Sequence, residues 1–171
     1  MNVLALDLGT KTGWAENCAG AGNLFAAGTW QLATAKEITE FGKSRMSRRC
    51  DPRVCRLYEK LDFICDSTPP DFIVFEDVQF VTTTMQVQLW ASFRTVAWLI
   101  GCQFPFIGVE CVPVATLKKF ATGSGSADKQ AMRKHLVFQH PEIFSIGFDD
   151  NAVDACWLFL WAQHNLGRTL T

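Results

Sequence analysis

The side chains with the most chemical potential in this sequence are four acids, Asp7, Glu76, Asp150 and Asp154. Asp7 ends the apolar run NVLALD and Glu76 ends DFIVFE, so each stands where a buried strand leaves its core. In open α/β sheets that carboxyl edge is where ligand sites gather. If the two strands are neighbours, their carboxylates converge. Asp150 and Asp154, four apart at the start of a helix, project from one face and could join them. Clustered carboxylates repel, and some take up protons unless a cation sits among them. Hard oxygen donors with no Cys or His near them in sequence suit Mg²⁺, with Mn²⁺ able to substitute. Two such ions about 3.5–4 Å apart can activate a water and stabilise the leaving oxygen of an in-line phosphodiester displacement. A single strand-end acid is equally well a solvated turn residue, and Asp150 equally well a helix cap. Three acids at one edge are harder to explain that way.

Two basic groups stand apart from these acids. Lys43, Arg45, Arg48, Arg49, Arg53 and Arg56 face only Asp51 across their own stretch, an excess that a solvated helix face does not by itself require. Such a run suits DNA phosphates, which position a duplex without reading its sequence. The second group is Lys118, Lys119, Lys129, Arg133 and Lys134, with Gly123 and Gly125 between them. A glycine loop lets backbone amides approach phosphate closely. GSGSADK is not a P-loop, because it lacks the GxxxxGK[ST] order.

These residues need elements to hold them. Residues 2–7 read as a buried strand, 13–18 and 24–32 as two more after the turn-rich AGAGN, a meander of antiparallel strands. Residues 35–66 are helical and charged, broken near Asp51-Pro52 and stopped by Thr68-Pro69-Pro70. Residues 71–76 form the next strand. From Thr82 to Ile100, Met85, Leu89, Phe93, Val96, Ala97 and Ile100 recur at near-helical spacing, which predicts a long amphipathic helix. Trp90 and Trp98 fall outside that stripe, so a twofold contact between two copies, or a larger core, would cover them. Residues 104–110 read as a strand, 113–121 and 127–138 as helices. A last helix is capped by Asp149 or Asp150, runs to about His164, and turns Val153, Cys156, Trp157 and Leu160 inward.

With 171 residues, 49% of them hydrophobic, the chain suits one domain over 1–171 with a sizeable core. The formal net charge of -1 neither announces nor excludes a polyanionic partner. The opening MNVLALDLGT lacks a basic leader, and the apolar stretch from Trp98 to Val109 is broken by Gln103 and Pro105, so neither a secretory signal nor a membrane span is expected. Seven Cys without any CxxC spacing argue against a disulfide framework and a structural zinc site, and fit a reducing cytoplasm. Cys50 and Cys55 read as buried or inert thiols. His135, His140 and His164 have no ligand-like spacing.

Four blocks of the sequence resemble RuvC-type Holliday junction resolvases: ALDLGTKTGWA around Asp7, FIVFEDVQF around Glu76, LKKFATGSGSADKQAMRK over 117–134, and DDNAVDACWLFLWA near the end. They occur in family order and cover nearly the whole chain; DLGT alone is weak, but four together are specific. The resemblance implies an α/β, ribonuclease H-like fold, a mixed five-stranded sheet made of an antiparallel meander plus two parallel strands and flanked by helices. It further implies a homodimer that resolves four-way junctions by paired nicks, with divalent metal held by four acids. Three of those map onto Asp7, Glu76 and Asp154. The family spacing D-x-x-D-A would put the fourth at Asn151; Asp150, one residue away, is the expected substitute, with Asn151 as a neutral alternative and Asp149 rotated away. Lys118 and Lys129 match basic residues that the family places near the scissile phosphate, where a cation offsets developing charge. An aromatic just beyond Glu76 contacts bases at the junction centre in the family. Gln79 stands closest to that position and Phe80 next, and Phe80 is equally well a staple for the following helix.

Other readings stay open at this stage. The same chemistry could act on forks, flaps and three-way branches, and a chain with Asn151 could be a junction-binding module without turnover. DLGTKTG also resembles the phosphate-binding opening of sugar kinases and actin-like ATPases, which need two such domains; this chain is too short for that.

Overall fold

Alternation along the first strand sorts its side chains onto two sides of a sheet. In the computed structural model, which describes residues 1–17, 25–43, 50–77, 83–141 and 148–167, strand β1 spans Val3–Asp7. Its Val3 and Ala5 join one core and Leu4 and Leu6 the other, as period-two geometry requires. β2 (Lys11–Asn17) and β3 (Phe25–Gln31) follow as an antiparallel meander. β4 (Phe72–Asp77) lies parallel beside β1, with Leu6 opposite Phe75, and β5 (Gly108–Pro113) lies parallel beside β4. The order β3-β2-β1-β4-β5 is the mixed five-stranded sheet that the sequence predicts.

Helices cover both faces. Against Leu4, Leu6, Ile73 and Phe75 pack α2 (Pro52–Ser67) and α3 (Thr84–Gln103), through Leu57 and Leu61 of the first and Phe93, Ala97 and Ile100 of the second. Against Val3, Ala5 and Val74 pack α4 (Val114–Thr122), α5 (Lys129–Gln139) and α6 (Asp150–Asn165). A short α1 (Ala35–Lys43) buries no side chain. α6 crosses the middle of the sheet, so it buries far more than one stripe: Ala152, Ala155, Leu158, Phe159 and Ala162 join Val153, Cys156 and Trp157, while Leu160 is only partly covered. The Trp157 indole donates to the Met132 carbonyl at 3.1 Å, tying α6 to α5. Side chains cap the helix starts by accepting a backbone N–H: Asp51 from Arg53, Thr83 from Gln86, Asp128 from Ala131 and Asp149 from Ala152.

Two expectations need correction. β5 begins four residues later than the apolar run 104–110 predicts, because Phe104 and Ile107 close the end of α3 through bonds to the Ile100 and Phe104 carbonyls. Gly108 then starts the strand where a Cβ would lie 2.4 Å from the Phe72 ring. Met85 is 72% exposed and does not belong to the inward stripe of α3, which begins at the partly buried Leu89. Among the described residues no helix is long and apolar enough to cross a membrane.

Trp157→Ala is expected to destabilise the chain by about 3–5 kcal/mol in denaturant unfolding, through the cavity it leaves and the loss of the indole bond. A loss under about 1 kcal/mol would mean that α6 is not the centre of this core.

Candidate active site

The same alternation that builds the cores aims the acids. Asp7 continues the Val3, Ala5 series and Glu76 the Phe72, Val74 series, so both belong to the α6 side of the sheet, one residue beyond the paired Leu6 and Phe75. Adjacent strands run about 4.8 Å apart, which makes these acids near neighbours. Asp77, one residue on, turns to the opposite face and accepts from Arg94 of α3 at 2.9 Å. Asp154 comes from the second turn of α6, its side chain 17% exposed and 3.5 Å from the Lys129 ammonium.

Electrostatics shows that these groups share one site. Burial, then the charges of Asp154 and Glu76, push the Asp7 carboxyl up to about 8, against a partial offset from Lys129. Burial and Asp154 push Glu76 up to about 7, with Lys118 and Lys129 opposing. Asp154 is raised by burial and by Asp150, again opposed by Lys129 and Lys118. Burial works against the charged form of Lys129, yet Asp154, Asp7 and Asp150 prevail and hold it above the ordinary lysine range. Two lysines therefore serve as counter-charges to three carboxylates. Among the described residues no group of three or more Asp, Glu, His or Cys side chains is arranged so that it could hold a metal ion as it stands. Their coupling is a shared field, and the donor set, hard carboxylate oxygen alone, fits Mg²⁺ or Mn²⁺.

The start of α6 is fixed by a clamp. Asp149 is the cap, accepting from Ala152 N–H at 3.0 Å, from the Thr29 hydroxyl of β3 at 2.6 Å and from the Asn151 amide at 3.3 Å. Burial disfavours its charge, but these bonds prevail and hold Asp149 below the usual carboxylate range. Beneath it lies Gly13 of β2, where a Cβ would sit 1.9 Å from the Asn151 carbonyl oxygen. This seat was missed in the sequence, although a glycine inside a strand is a sign of close backbone approach.

Asp150 stands at the rim, 56% exposed and paired with Arg133 at 3.0 Å, and its charge acts on Asp154 and Lys129. Arg133 also donates to the Phe148 carbonyl at 2.9 Å, so it joins α5 to the approach of α6. Lys118 is half-buried beside the acids, whereas Lys119, next on α4, faces solvent. Of the first basic run, Lys43 is exposed at the end of α1. Arg53 binds Asp51, and Arg56 binds Glu37 and the Leu32 carbonyl, so both brace the α2 side of the fold. Arg45, Arg48, Arg49, Gln79 and Phe80 lie outside the described residues.

No protein-family model and no curated protein matches the sequence. Solved structures do. The chain is similar to RuvC of Thermus thermophilus, with a TM-score of 0.69 at 14% identity over 98% of this chain and 97% of that one. The same protein in complex with a Holliday junction substrate gives a TM-score of 0.71 at 15% identity, covering 99% and 96%. The yeast mitochondrial Holliday junction resolvase Ydc2 gives 0.55 at 11% identity, covering 91% and 75%. The fold is therefore that of RuvC, the ribonuclease H-like fold.

The raised acids set a sign for stability against pH. A carboxyl whose pKa is higher folded than unfolded favours folding below its unfolded value and loses that contribution as pH rises through its folded value. In chelator, melting temperature is expected to fall as pH rises from 4.5, the ordinary glutamate value, to about 8. Asp7→Asn should flatten the decline. A wild-type melting temperature that holds or climbs across that window would contradict the mutual charging of these acids.

Proposed function

We propose that this chain is a metal-dependent endonuclease that cuts branched DNA, with the four-way junction as its substrate. The observation that carries this reading is the convergence of Asp7, Glu76 and Asp154 in one field, with Lys129 and Lys118 beside them. The likeness to a RuvC structure in complex with a junction supports the choice of substrate.

Asp7, Glu76 and Asp154 would hold Mg²⁺, or Mn²⁺ in its place, with Asp150 the fourth acid if it exchanges its pairing with Arg133 for the ion. When bound, two such ions supply an activated water and neutralise the leaving oxygen for in-line hydrolysis. Lys129 and Lys118 would then turn from the carboxylates toward the scissile phosphate and offset charge that grows in the transition state. Lys119 and Lys43, both exposed, would meet phosphates of flanking duplex, contacts that position the DNA without reading it. Specificity would rest on DNA shape and deformability.

A four-way junction has two strands to nick, and a homodimer would present two sites to them. α3 offers exposed apolar side chains for it: Met85, Val87, Trp98 and Leu99 are 72%, 44%, 41% and 55% exposed, and a second copy would cover the pair on the side of the helix that faces it.

Cleavage of a labelled mobile four-way junction in Mg²⁺ is expected to fall at least about 100-fold in Asp7→Asn and in Asp154→Asn, with junction binding kept. Lys129→Met should lower the rate by on the order of 10²–10³-fold without abolishing metal binding. Full cutting by Asp7→Asn would end the metal mechanism. Equal cutting of three-way and four-way forms would widen the substrate to branched DNA in general, and metal-indifferent junction binding by wild type without any cutting would make the chain a binding module.

A further inference from the structure

Helices α5 and α6 meet along a seam of two charged rungs. Lys129 and Arg133 stand four apart on α5, and Asp150 and Asp154 four apart on α6, so each pair shares one helix face. The Lys129 ammonium lies 3.5 Å from the Asp154 carboxylate, and the Arg133 guanidinium donates to Asp150 at 3.0 Å. The first rung belongs to the acidic recess. The second stands at its rim, where the Arg133 side chain is 34% and the Asp150 side chain 56% exposed, so a ligand arriving from solvent can reach both partners.

Arg133 is also tied to the backbone. The same Nη2 that meets Asp150 donates to the Phe148 carbonyl at 2.9 Å, which seats the guanidinium where α6 begins. One Asp150 oxygen is thereby committed to α5. Among the described residues, with that pairing in place, no group of three or more Asp, Glu, His or Cys side chains is arranged to hold a metal ion. A pair this exposed is weak because water screens it, and its exchange for stronger partners costs little. A phosphate is such a partner for arginine, through two parallel N–H bonds, and a divalent ion is one for the carboxylate.

We propose that Arg133 is a latch on the metal site: it holds Asp150 while the protein is free of DNA, and a backbone phosphate of the bound junction draws it off and releases Asp150 to the ion. This role rests on the active-site reading above and adds an order of events to it. Mg²⁺ is held weakly before DNA arrives and more tightly afterwards, and by linkage the ion strengthens junction binding by the same factor. Arg133 is a positioning residue in this scheme, since it acts on the ion through Asp150.

Free Mn²⁺ is followed by its electron paramagnetic resonance signal in titrations of the full-length protein, alone and with a saturating four-way junction on ice. Junction alone is the blank, and denaturing gels confirm that it stays uncut. Without DNA, Arg133→Met is expected to bind Mn²⁺ about three- to fivefold more tightly than wild type, the factor that breaking one half-exposed ion pair allows. In the Asp150→Asn background the same substitution should give no gain, because no carboxylate is left to release. The junction should tighten Mn²⁺ binding by wild type more than by Arg133→Met. Thermal melts check that each variant is folded, and Arg133→Gln, which keeps an N–H donor, takes the place of Arg133→Met should that one unfold. An equal gain in the Asp150→Asn background would reduce Arg133 to a repelling charge and overturn the latch, as would a folded Arg133→Met that binds no more tightly than wild type. Wild type that takes up no Mn²⁺ with or without junction would sink the active-site reading itself, and the latch with it.

Discussion

Three carboxylates gathered in a poorly hydrated recess each make the others harder to ionise, and no local rearrangement of side chains escapes that cost while the backbone stays folded. Asp7 is lifted to about 8 and Glu76 to about 7 by burial and by shared charge. The rest of the architecture has to hold these groups against the repulsion. Parallel pairing of β1 with β4 fixes the first two side by side, two hydrophobic cores lock both faces of those strands, and α6 carries the third across the middle of the sheet. Lys129 and Lys118 offset part of that repulsion as counter-charges beside the carboxylates.

The start of α6 explains why adjacent acids do different things. Asp149 is spent on the cap and on Thr29, and those bonds hold its carboxyl below the usual carboxylate range. Asp150 begins the helix and meets Arg133, while Asp154, one turn on, dips into the recess. A hydroxyl on the edge strand and a missing side chain at Gly13 thus decide where the third carboxylate arrives, although neither touches it.

Much of this was legible in the sequence because the relevant signals are local. NVLALD and DFIVFE announce buried strands and their terminal acids directly, and the helix-period spacing of Phe93, Ala97 and Ile100 fixes the inner face of α3. The cap of α6 was readable only as one of two consecutive aspartates, since choosing between them depends on Thr29 from a distant strand. The start of β5 was misjudged because Phe104, Pro105 and Phe106 continue an apolar run that in three dimensions finishes a helix. The clamped arginines Arg53 and Arg56 counted as free charge in a one-dimensional tally, and only the fold reveals their partners.

Glu76 and Asp77 are chemical near-equals in consecutive positions, yet the pleat sends one into the acidic recess and the other to Arg94 on the reverse of the sheet. Which of them serves is therefore a matter of phase and not of chemistry. Gaining or losing a single amino acid upstream within that strand would exchange their places, leaving a carboxylate on each side but the wrong helix behind each. Length changes during divergence should accordingly accumulate in the connecting loops and be purged from β1 and β4, even where one apolar side chain there is exchanged for another of similar size.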